Sequence, residues 1–349
     1  MLKKSLLLII LLVSSIISVA CGNMNTQDNE NQKSNSESSE LVIVGWGGPT
    51  TDAKREAFYK PFEKKYNVKV REVAPVNYGK LKSMVESGNV EWDVVDVDTD
   101  FVYRGSREGL LEPLDYSVIS KEDIMPELIH EYGIGSFLYD VPIAYSSKFK
   151  DNPPKNWVDF WDAEKFPGKR SLQKNPVGVM EQALLADGVK PEELYPLDIN
   201  RAFKSLDKIR DHVNVWWSQG TQPLLLLVGN EVSMSSGWNG TLAPKVKEGA
   251  PIGIQYNQSN LMSDSWVVPK GSKNKELAMK FIAFATEPDQ QAKFIEIMPH
   301  LPVNTKSLDL ISKEKKHEKN FNNKVLINFE WWDKNFDEVN ERFQKWLIK

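Results

Sequence analysis

The segment 41–97 alternates between strand-like and helix-like patterns, and this alternation constrains the fold more than any other feature of the sequence. Residues 41–44 form a continuous apolar run, which is typical of a strand that is buried on both faces. Residues 68–73 and 92–97 also favour strands, and the segments between the three place apolar side chains at helical spacing. Because parallel strands are joined by crossover helices, this order predicts a parallel α/β sheet.

The middle of the chain repeats this pattern. Asp198 is predicted to cap a helix, and 213–217 is predicted to be a strand. Further strands are predicted at 232–238 and 265–269, followed by a helix at 276–286. A chain of 349 residues is long for one simple core, and the two sets of strands and helices show no internal sequence repeat. We therefore expect two α/β lobes.

The first residues of the chain predict export. Lys3 and Lys4 precede an apolar run at 6–13, and small residues then lead to Cys21. The run is too short to span a membrane and is typical of a secretory signal, so we expect 1–20 to be a signal peptide. The position of Cys21 resembles the lipobox of bacterial lipoproteins, in which the cysteine is acylated. The alternative is an ordinary cleaved signal that leaves a free thiol.

The segment after the cysteine is polar. Residues 22–40 contain Met24 as their one apolar side chain. Such a segment cannot bury enough surface to offset its chain entropy, so we expect 21–40 to be a disordered tether that begins at the lipidated cysteine. Together with the signal, this predicts a folded body anchored to the outer face of the bacterial cytoplasmic membrane.

The sequence offers little for catalysis. It has one cysteine and four histidines that are far apart, which argues against a disulfide, a zinc framework and a metal pair. The nucleophile-elbow, zinc-protease and P-loop motifs do not occur, and a net charge of −4 gives no cationic field for nucleic acid. We expect no cofactor and no metal. A hydrolase stays open as an alternative, with Glu330 beside Trp331 and Trp332 as its candidate acid.

Tryptophans follow several of the predicted strands. In parallel sheets ligands bind beyond the carboxyl ends of the strands, where aromatic side chains can line a cleft and attract ammonium groups. Trp46, Trp217 and Trp238 occupy such positions. Each alone is more often part of a core, but Trp46 and Trp238 adjoin glycines, which let a ligand approach the backbone.

Aspartates are the matching charged candidates. Asp96, Asp98 and Asp100 alternate at the end of the third predicted strand, so one face of them can point into a cleft if the strand continues. Asp264 stands between two serines, just before a predicted strand. A buried carboxylate there needs a partner, which a ligand amine can supply. The structural alternative is a capping or turn aspartate.

A series of short motifs runs along the chain. The motifs are W at 46, WDVV at 92–95, EGLLEPLD at 108–115, NWVDFW at 156–161, FPG at 166–168, GWNG at 237–240, DSWVVP at 264–269 and KNKE at 273–276. None is specific alone, but in their order and spacing the sequence resembles the spermidine/putrescine-binding group of bacterial solute-binding lipoproteins, which is similar to the extracellular solute-binding protein family 1 and serves ABC importers. The resemblance covers nearly all of residues 41–349.

This resemblance implies the type II periplasmic-binding-protein fold. In that α/β fold two lobes, each a mainly parallel sheet with flanking helices, close like a hinge on a ligand in the cleft between them. We expect lobe I to comprise 41–141 and 264–304. We expect lobe II to comprise 142–263 and 305–349.

The resemblance also implies ligand contacts. Trp46 matches an aromatic side chain near the cleft opening, and Trp238 matches a tryptophan that packs against the methylene groups of the ligand. Asp264 matches the acid that receives an amine. The remaining candidate ligand contacts are Asp98, Asp100, Asn175, Trp217 and His300.

The sequence departs from the family where a second ammonium group would bind. The family has a second acidic cluster after the tract that reads GKRSL here, at 168–172. This chain instead has Lys174 and Asn175, and no acid before Glu181. The resemblance therefore leaves a second ammonium group without a matching acid.

Two further departures bear on the ligand. His300 stands where the family has an aromatic side chain that closes the floor of the cleft, and Met262 replaces a second tryptophan. A polyamine such as spermidine or putrescine is the first expected ligand. An ω-amino acid or a similar zwitterion is the alternative, with Lys174 or Arg104 as candidate anion contacts.

Taken together, these patterns predict the substrate-binding lipoprotein of an ABC importer. We expect a monomer that captures a small cationic or zwitterionic solute and delivers it to membrane permease subunits. Its other partner is the membrane that holds the lipid anchor, and nucleic acid is not expected as a partner.

Overall fold

The structure is a computed structural model that describes residues 40–313 and 323–349. The predicted signal peptide, Cys21 and the predicted tether up to residue 39 lie outside the described residues. The strands are β1 (Glu40–Val44), β2 (Lys69–Val73), β3 (Val94–Asp98), β4 (Ile129–His130), β5 (Gly133–Ser146), β6 (Arg170–Gln173), β7 (Val213–Trp217), β8 (Met234–Ser236), β9 (Ile252–Val267) and β10 (Val325–Leu326).

The helices flank these strands. In chain order they are α1 (Gly48–Lys54), which continues through a π-helical turn (Arg55–Tyr59) into α2 (Lys60–Tyr66), then α3 (Tyr78–Ser87), α4 (Thr99–Arg107), α5 (Trp157–Trp161), α6 (Pro176–Ala186), α7 (Ile199–Ile209), α8 (Gln222–Val228), α9 (Asn239–Lys247), α10 (Lys275–Ala285), α11 (Pro288–Ile297), α12 (Ser307–Leu310) and α13 (Phe329–Leu347).

Two sets of parallel strands give the molecule two lobes. In the first lobe β1 pairs in parallel with β2 and β3, and in the second lobe β6 pairs in parallel with β7 and β8. The apolar run of β1 is buried along its whole length, as expected of a parallel strand with both faces covered. The strand–helix order predicted for 41–97 is confirmed.

The long antiparallel strands β5 and β9 join the two lobes into one sheet. Residues 134–141 of β5 pair with residues 260–266 of β9, on the side where β9 also pairs with β3. Residues 143–146 pair with 252–255, on the side where β5 also pairs with β8. The register shifts between Val141 and Ile143, so both strands pass from one lobe to the other at this irregularity.

Local predictions fare unequally. Asp198 caps α7 as predicted, since its carboxylate accepts a hydrogen bond from the Arg201 N–H at 2.9 Å. The strand predicted at 232–238 is only the three residues of β8. The strand predicted at 265–269 is the end of the much longer β9, so Asp264 lies inside a strand rather than before one. The residue boundaries predicted for the two lobes stay predictions.

Candidate ligand-binding site

Four aspartates gather where β3 meets β9, and we call Asp96, Asp98, Asp100 and Asp264 the acid cluster. Asp98 and Asp264 are directly opposite each other in the antiparallel register. Alternate residues of a strand share a face, so Asp96 lies on the same face as this pair. Like charges placed directly opposite on neighbouring strands repel each other, so a nearby cation would stabilise the ionised form of this pair.

The sequence analysis placed the three alternating aspartates on one face on the condition that the strand continues through them. The structure does not meet this condition. β3 ends at Asp98, and α4 begins at Thr99 with Asp100 in its first turn. Asp100 therefore approaches Asp98 from the helix rather than along the strand, and the two carboxylates repel each other.

Asp96 is buried and fully engaged. One oxygen forms an ion pair with the ammonium of Lys54, and the other accepts a 2.7 Å hydrogen bond from the hydroxyl of Ser136. The Lys54 ammonium also lies 4.5 Å from the ring centroids of Phe137 and Trp266, whose faces attract cations. Lys54 was not predicted, although Ala57 and Phe58 share its helical face in the sequence and indicated burial.

Asp98 is held by aromatic neighbours. The hydroxyl of Tyr78 donates a 2.8 Å hydrogen bond to its carboxylate and accepts one at 3.1 Å from its N–H. Tyr78 stacks on Phe101 with ring centroids 4.1 Å apart and meets the edge of Trp46 at 6.2 Å. The guanidinium of Arg104 lies 5.4 Å from the Tyr78 ring centroid. Trp46 is thus part of the wall around the acid cluster, and it remains 39% exposed.

Burial raises the pKa of both Asp98 and Asp100. For Asp98 burial and the charge of Asp100 raise the pKa to about 7, against the hydrogen bond from Tyr78. Burial raises the pKa of Asp100, and Arg104 opposes that rise.

Asp264 is the most perturbed member of the cluster. Burial, followed by the charges of Asp96 and Asp98, raises its pKa well above the ordinary value. The ammonium of Lys54 and a hydrogen bond from the Trp46 indole oppose this rise. The ionised pair of Asp98 and Asp264 therefore carries more negative charge than its surroundings stabilise.

Trp217 and Trp238 come together in the second lobe. Trp217 ends β7 and is fully buried, and its ring meets Trp238 at 5.6 Å and 87°. Trp238 is half-buried and lies against Gly220, where an added Cβ would come within 2.4 Å of the indole. Gly220 therefore provides the space that Trp238 occupies, and Trp217 supports Trp238 from the core.

His300 lies between the two lobes' candidate residues. It is buried and stacks on Phe137 with ring centroids 4.7 Å apart, and it meets the edge of Tyr139 at 6.4 Å. The charges of Asp264 and Asp98 add to burial in raising the pKa of Tyr139. Tyr139, which contacts His300, therefore lies close enough to the acid cluster to be affected by its charges.

The start of α9 meets His300 from the second lobe. A Cβ on Gly240 would lie 2.9 Å from the ring of His300. The side-chain amide of Asn239 donates a 2.6 Å hydrogen bond to the carbonyl of Pro299 and accepts one of 2.6 Å from the hydroxyl of Tyr256. Asn239 and Tyr256, which the sequence analysis missed, therefore hold the segment after Trp238 beside the segment before His300.

Asn175 has a structural task in α6. Its side-chain oxygen accepts a 3.0 Å hydrogen bond from the Val177 N–H. Gly178 follows at φ +86°, a conformation that favours glycine, and its carbonyl accepts a 2.8 Å bond from Asn260 on β9. Asn175 therefore caps a helix start that is tied to a strand passing between the lobes.

The structure brings Trp46, Asp98, Asp100 and Asp264 into one group and Trp217 and Trp238 into another. Within residues 40–313 and 323–349, no group of three or more His, Cys, Asp and Glu side chains is arranged to hold a metal ion. In the same ranges no helix is long and apolar enough to cross a membrane.

Known proteins are similar to this chain in sequence. The chain matches the model of the bacterial extracellular solute-binding protein family over residues 57–323. It is 36% identical to the gamma-aminobutyric acid-binding protein of Pseudomonas aeruginosa, over 90% of this chain and 92% of that protein. It is 26% identical to spermidine/putrescine-binding periplasmic protein 1 of Haemophilus influenzae, over 76% of this chain and 75% of that protein.

A solved structure agrees. An ABC transporter substrate-binding protein from Bradyrhizobium japonicum matches with a TM-score of 0.85 and 35% identity, over 88% of this chain and 99% of that chain. The predicted two-lobed periplasmic-binding-protein fold is confirmed.

The family and the close relatives bind solutes rather than catalyse reactions, and Glu330, the candidate acid of a hydrolase, is exposed and paired with Lys334 at 2.6 Å. The chain belongs to the bacterial extracellular solute-binding protein family and is a substrate-binding protein of an ABC transporter.

Proposed function

We propose that this protein captures a small amine-bearing solute between its two lobes and delivers it to the permease of an ABC importer. The ligand ammonium binds at Asp264, with Asp98 as its second carboxylate. One observation carries this proposal: buried Asp264 and half-buried Asp98 face each other in register, and burial raises the pKa of both. A cation between them would offset their repulsion and replace the water that burial removes.

The aromatic side chains would hold the apolar part of the solute. Trp46 lies at the acid cluster, and Trp238 is a half-buried tryptophan of the second lobe. Closure of the lobes would bring their rings onto the ligand's methylene groups, where aromatic faces also attract an ammonium. Asn175, Trp217 and His300 would shape the rest of the cavity.

A polyamine is the first candidate ligand, and a zwitterion is the second. The relative at 26% identity supports spermidine or putrescine. The relative at 36% identity supports an ω-amino acid. The surroundings of Glu181, the first acid after Asn175, support it as well. The Glu181 carboxylate is occupied by protein donors, so it does not replace the family's second acidic cluster as a partner for a second ammonium group.

Thermal unfolding against a solute panel tests this function. The panel holds putrescine, spermidine, ω-amino acids, quaternary amines and sugars. A ligand at a hundred times its dissociation constant adds about 2.7 kcal/mol of stability, so a primary amine should raise Tm by several degrees. A rise in Tm with sugars alone, or the lack of a rise with every amine, would exclude the proposed ligand class. The pattern of polyamine against ω-amino acid shifts selects between the two candidates.

We also propose that Cys21 carries a lipid that anchors the protein outside the cytoplasmic membrane. This rests on the sequence, in which Cys21 follows the apolar run and small residues of a signal. Replacement of Cys21 by alanine should move the protein from the membrane fraction to the soluble fraction. An unchanged distribution would show that another element holds the protein to the membrane.

A further inference from the structure

Lys54 is a buried lysine that belongs to the acid cluster. Its side chain is 2% exposed, and its ammonium pairs with the carboxylate of Asp96, which is 1% exposed. The rings of Phe137 and Trp266 lie over the same ammonium, each centroid 4.5 Å away. Lysine is almost never fully buried unless it is paired. The chain therefore supplies one ammonium group of its own to the cluster.

The position of this ammonium divides the cluster into two parts. Asp96, the inner carboxylate, has Lys54 on one oxygen and the Ser136 hydroxyl on the other. Asp98 instead accepts a hydrogen bond from the neutral hydroxyl of Tyr78, and Asp264 interacts with the neutral indole of Trp46 as its donor. The inner carboxylate thus has a bonded cation, and the outer pair has neutral donors.

The charge of Lys54 extends beyond its own pair. Its field opposes the rise in the pKa of Asp264, so it helps to keep that carboxylate ionised. A charge this close to a binding site changes ligand affinity according to the ligand's own charge, since Coulomb energies at partly buried sites are screened less than in water.

We propose that Lys54 is a specificity-determining residue: a built-in ammonium that neutralises the inner carboxylate and limits the cationic charge that the cluster favours in a ligand. This inference rests on the proposed function, in which a ligand ammonium binds at Asp264. Loss of the Lys54 charge makes the cluster more negative and favours a dication. Loss of the Asp96 charge leaves Lys54 uncompensated and disfavours a dication.

The test compares two probes that differ in charge at one end. Putrescine carries two ammonium groups, and gamma-aminobutyric acid carries one ammonium and one carboxylate. Isothermal titration calorimetry gives the dissociation constants of both probes for the wild type, Lys54→Met, Asp96→Asn and the double variant. Lys60→Met is the matched control, because Lys60 is an exposed lysine of the adjoining helix paired with Glu56.

The expected readout is the ratio of the two affinities. Lys54→Met should raise the preference for putrescine about tenfold, and Asp96→Asn should lower it about tenfold. The double variant, in which both charges are gone, should return toward the wild-type ratio, and Lys60→Met should keep that ratio. If Lys54→Met does not fold, Asp96→Asn and the double variant still show whether the ratio of the two affinities moves in the expected direction.

Two failures are distinguishable. If the wild type binds a probe and the ratio does not move in Asp96→Asn or in the double variant, Lys54 has only a structural role and the inference is wrong. If the wild type binds neither probe nor any other amine, the proposed function is wrong, and the inference that rests on it is overturned as well.

Discussion

Glu181 and Asp264 are both buried carboxylates, yet their surroundings differ in kind. Glu181 is 0% exposed and accepts three hydrogen bonds, from the Gly178 N–H at 2.8 Å, the Tyr195 hydroxyl at 2.5 Å and the Trp332 indole at 2.6 Å. These donors come from three segments of the chain. Glu181 therefore ties α6 to α13 and to the loop before α7.

Asp264 has the opposite environment. It is 4% exposed, and the negative charges of Asp96 and Asp98 act on it, opposed by Lys54 and by the Trp46 indole. Burial raises the pKa of Asp264 and of Glu181 alike, so a raised pKa alone does not separate a binding residue from a structural one. The neighbours separate them: one carboxylate is satisfied by donors, and the other is repelled by carboxylates.

The largest effect that sharpens this comparison is on stability. Replacement of Glu181 by alanine leaves the Tyr195 hydroxyl, the Trp332 indole and a backbone N–H buried without their acceptor, and each such group costs about 1–3 kcal/mol. We expect a loss of about 3 kcal/mol or more in the free energy of unfolding, measured in urea. Ligand affinity of the folded fraction should not change.

The matched control is Glu330→Ala, which removes an exposed acid paired with Lys334 in α13. Surface pairs of this kind contribute little, so the expected loss is below about 1 kcal/mol. If Glu181→Ala is as stable as this control, or if it loses ligand affinity, Glu181 is not the structural acid described above.

The next effect is on binding. Asp264→Asn removes the carboxylate that would pair with the ligand ammonium, and truncation of one partner of a buried charge pair costs about 2–5 kcal/mol. Affinity for the amine that gives the largest Tm rise should fall at least about 30-fold by calorimetry. Stability without ligand should be unchanged or higher, because a repelled buried charge is gone. Exposed Asp151→Asn is the control, and an equal affinity in the two variants would refute the amine anchor.

The sequence predicted the parts of this molecule that depend on local patterns. The alternation in 41–97 predicted β1, β2 and β3 and the helices between them, and Asp198 caps its helix as expected. The strands β5 and β9 were missed at their full length because β5 contains glycines and Pro142, and β9 alternates few apolar residues before Leu261. Such strands are fixed by pairing with each other rather than by their own hydrophobic pattern.

The candidate site shows the same division. The sequence and the family resemblance suggested Asp264 and Asp98 as ligand contacts, but the register that sets them opposite each other joins segments far apart in the chain. Lys54 was missed because a lysine on a helix is usually exposed. The satisfied state of Glu181 depends on Trp332, 151 residues away, and only the folded structure brings these two together.

A third effect concerns pH. The pKa of Asp98 is raised from 3.8 to about 7 in the folded protein, so the ligand-free protein binds more protons folded than unfolded between these values. The contribution of Asp98 to stability should therefore fall as pH rises from about 4 to about 7, and it ends above that pH. An ammonium needs the ionised carboxylate, so ligand affinity should rise with pH up to about 7 and drop as much as about tenfold per unit below it.

Asp98→Asn tests the assignment of this pH dependence. The variant should lose the part of this fall that Asp98 contributes, so the slope of stability against pH between pH 4 and pH 7, measured by urea unfolding, should be shallower than in the wild type. Glu181→Gln should keep the slope near pH 7, because its donors are unrelated to the acid cluster. A slope in Asp98→Asn as steep as that of the wild type would assign the titration to another group.

The smallest effects come from a matched pair of tyrosines, one at each carboxylate. Tyr195→Phe removes one donor to Glu181, so the free energy of unfolding should fall by about 1 kcal/mol and ligand affinity should stay the same. Tyr78→Phe removes the donor to Asp98, which raises the pKa of Asp98 further, so amine affinity at pH 7 should fall several-fold. Urea unfolding and calorimetry on both variants separate the two roles. If Tyr195→Phe weakens binding as much as Tyr78→Phe, the two carboxylates share one site and the contrast between them is wrong.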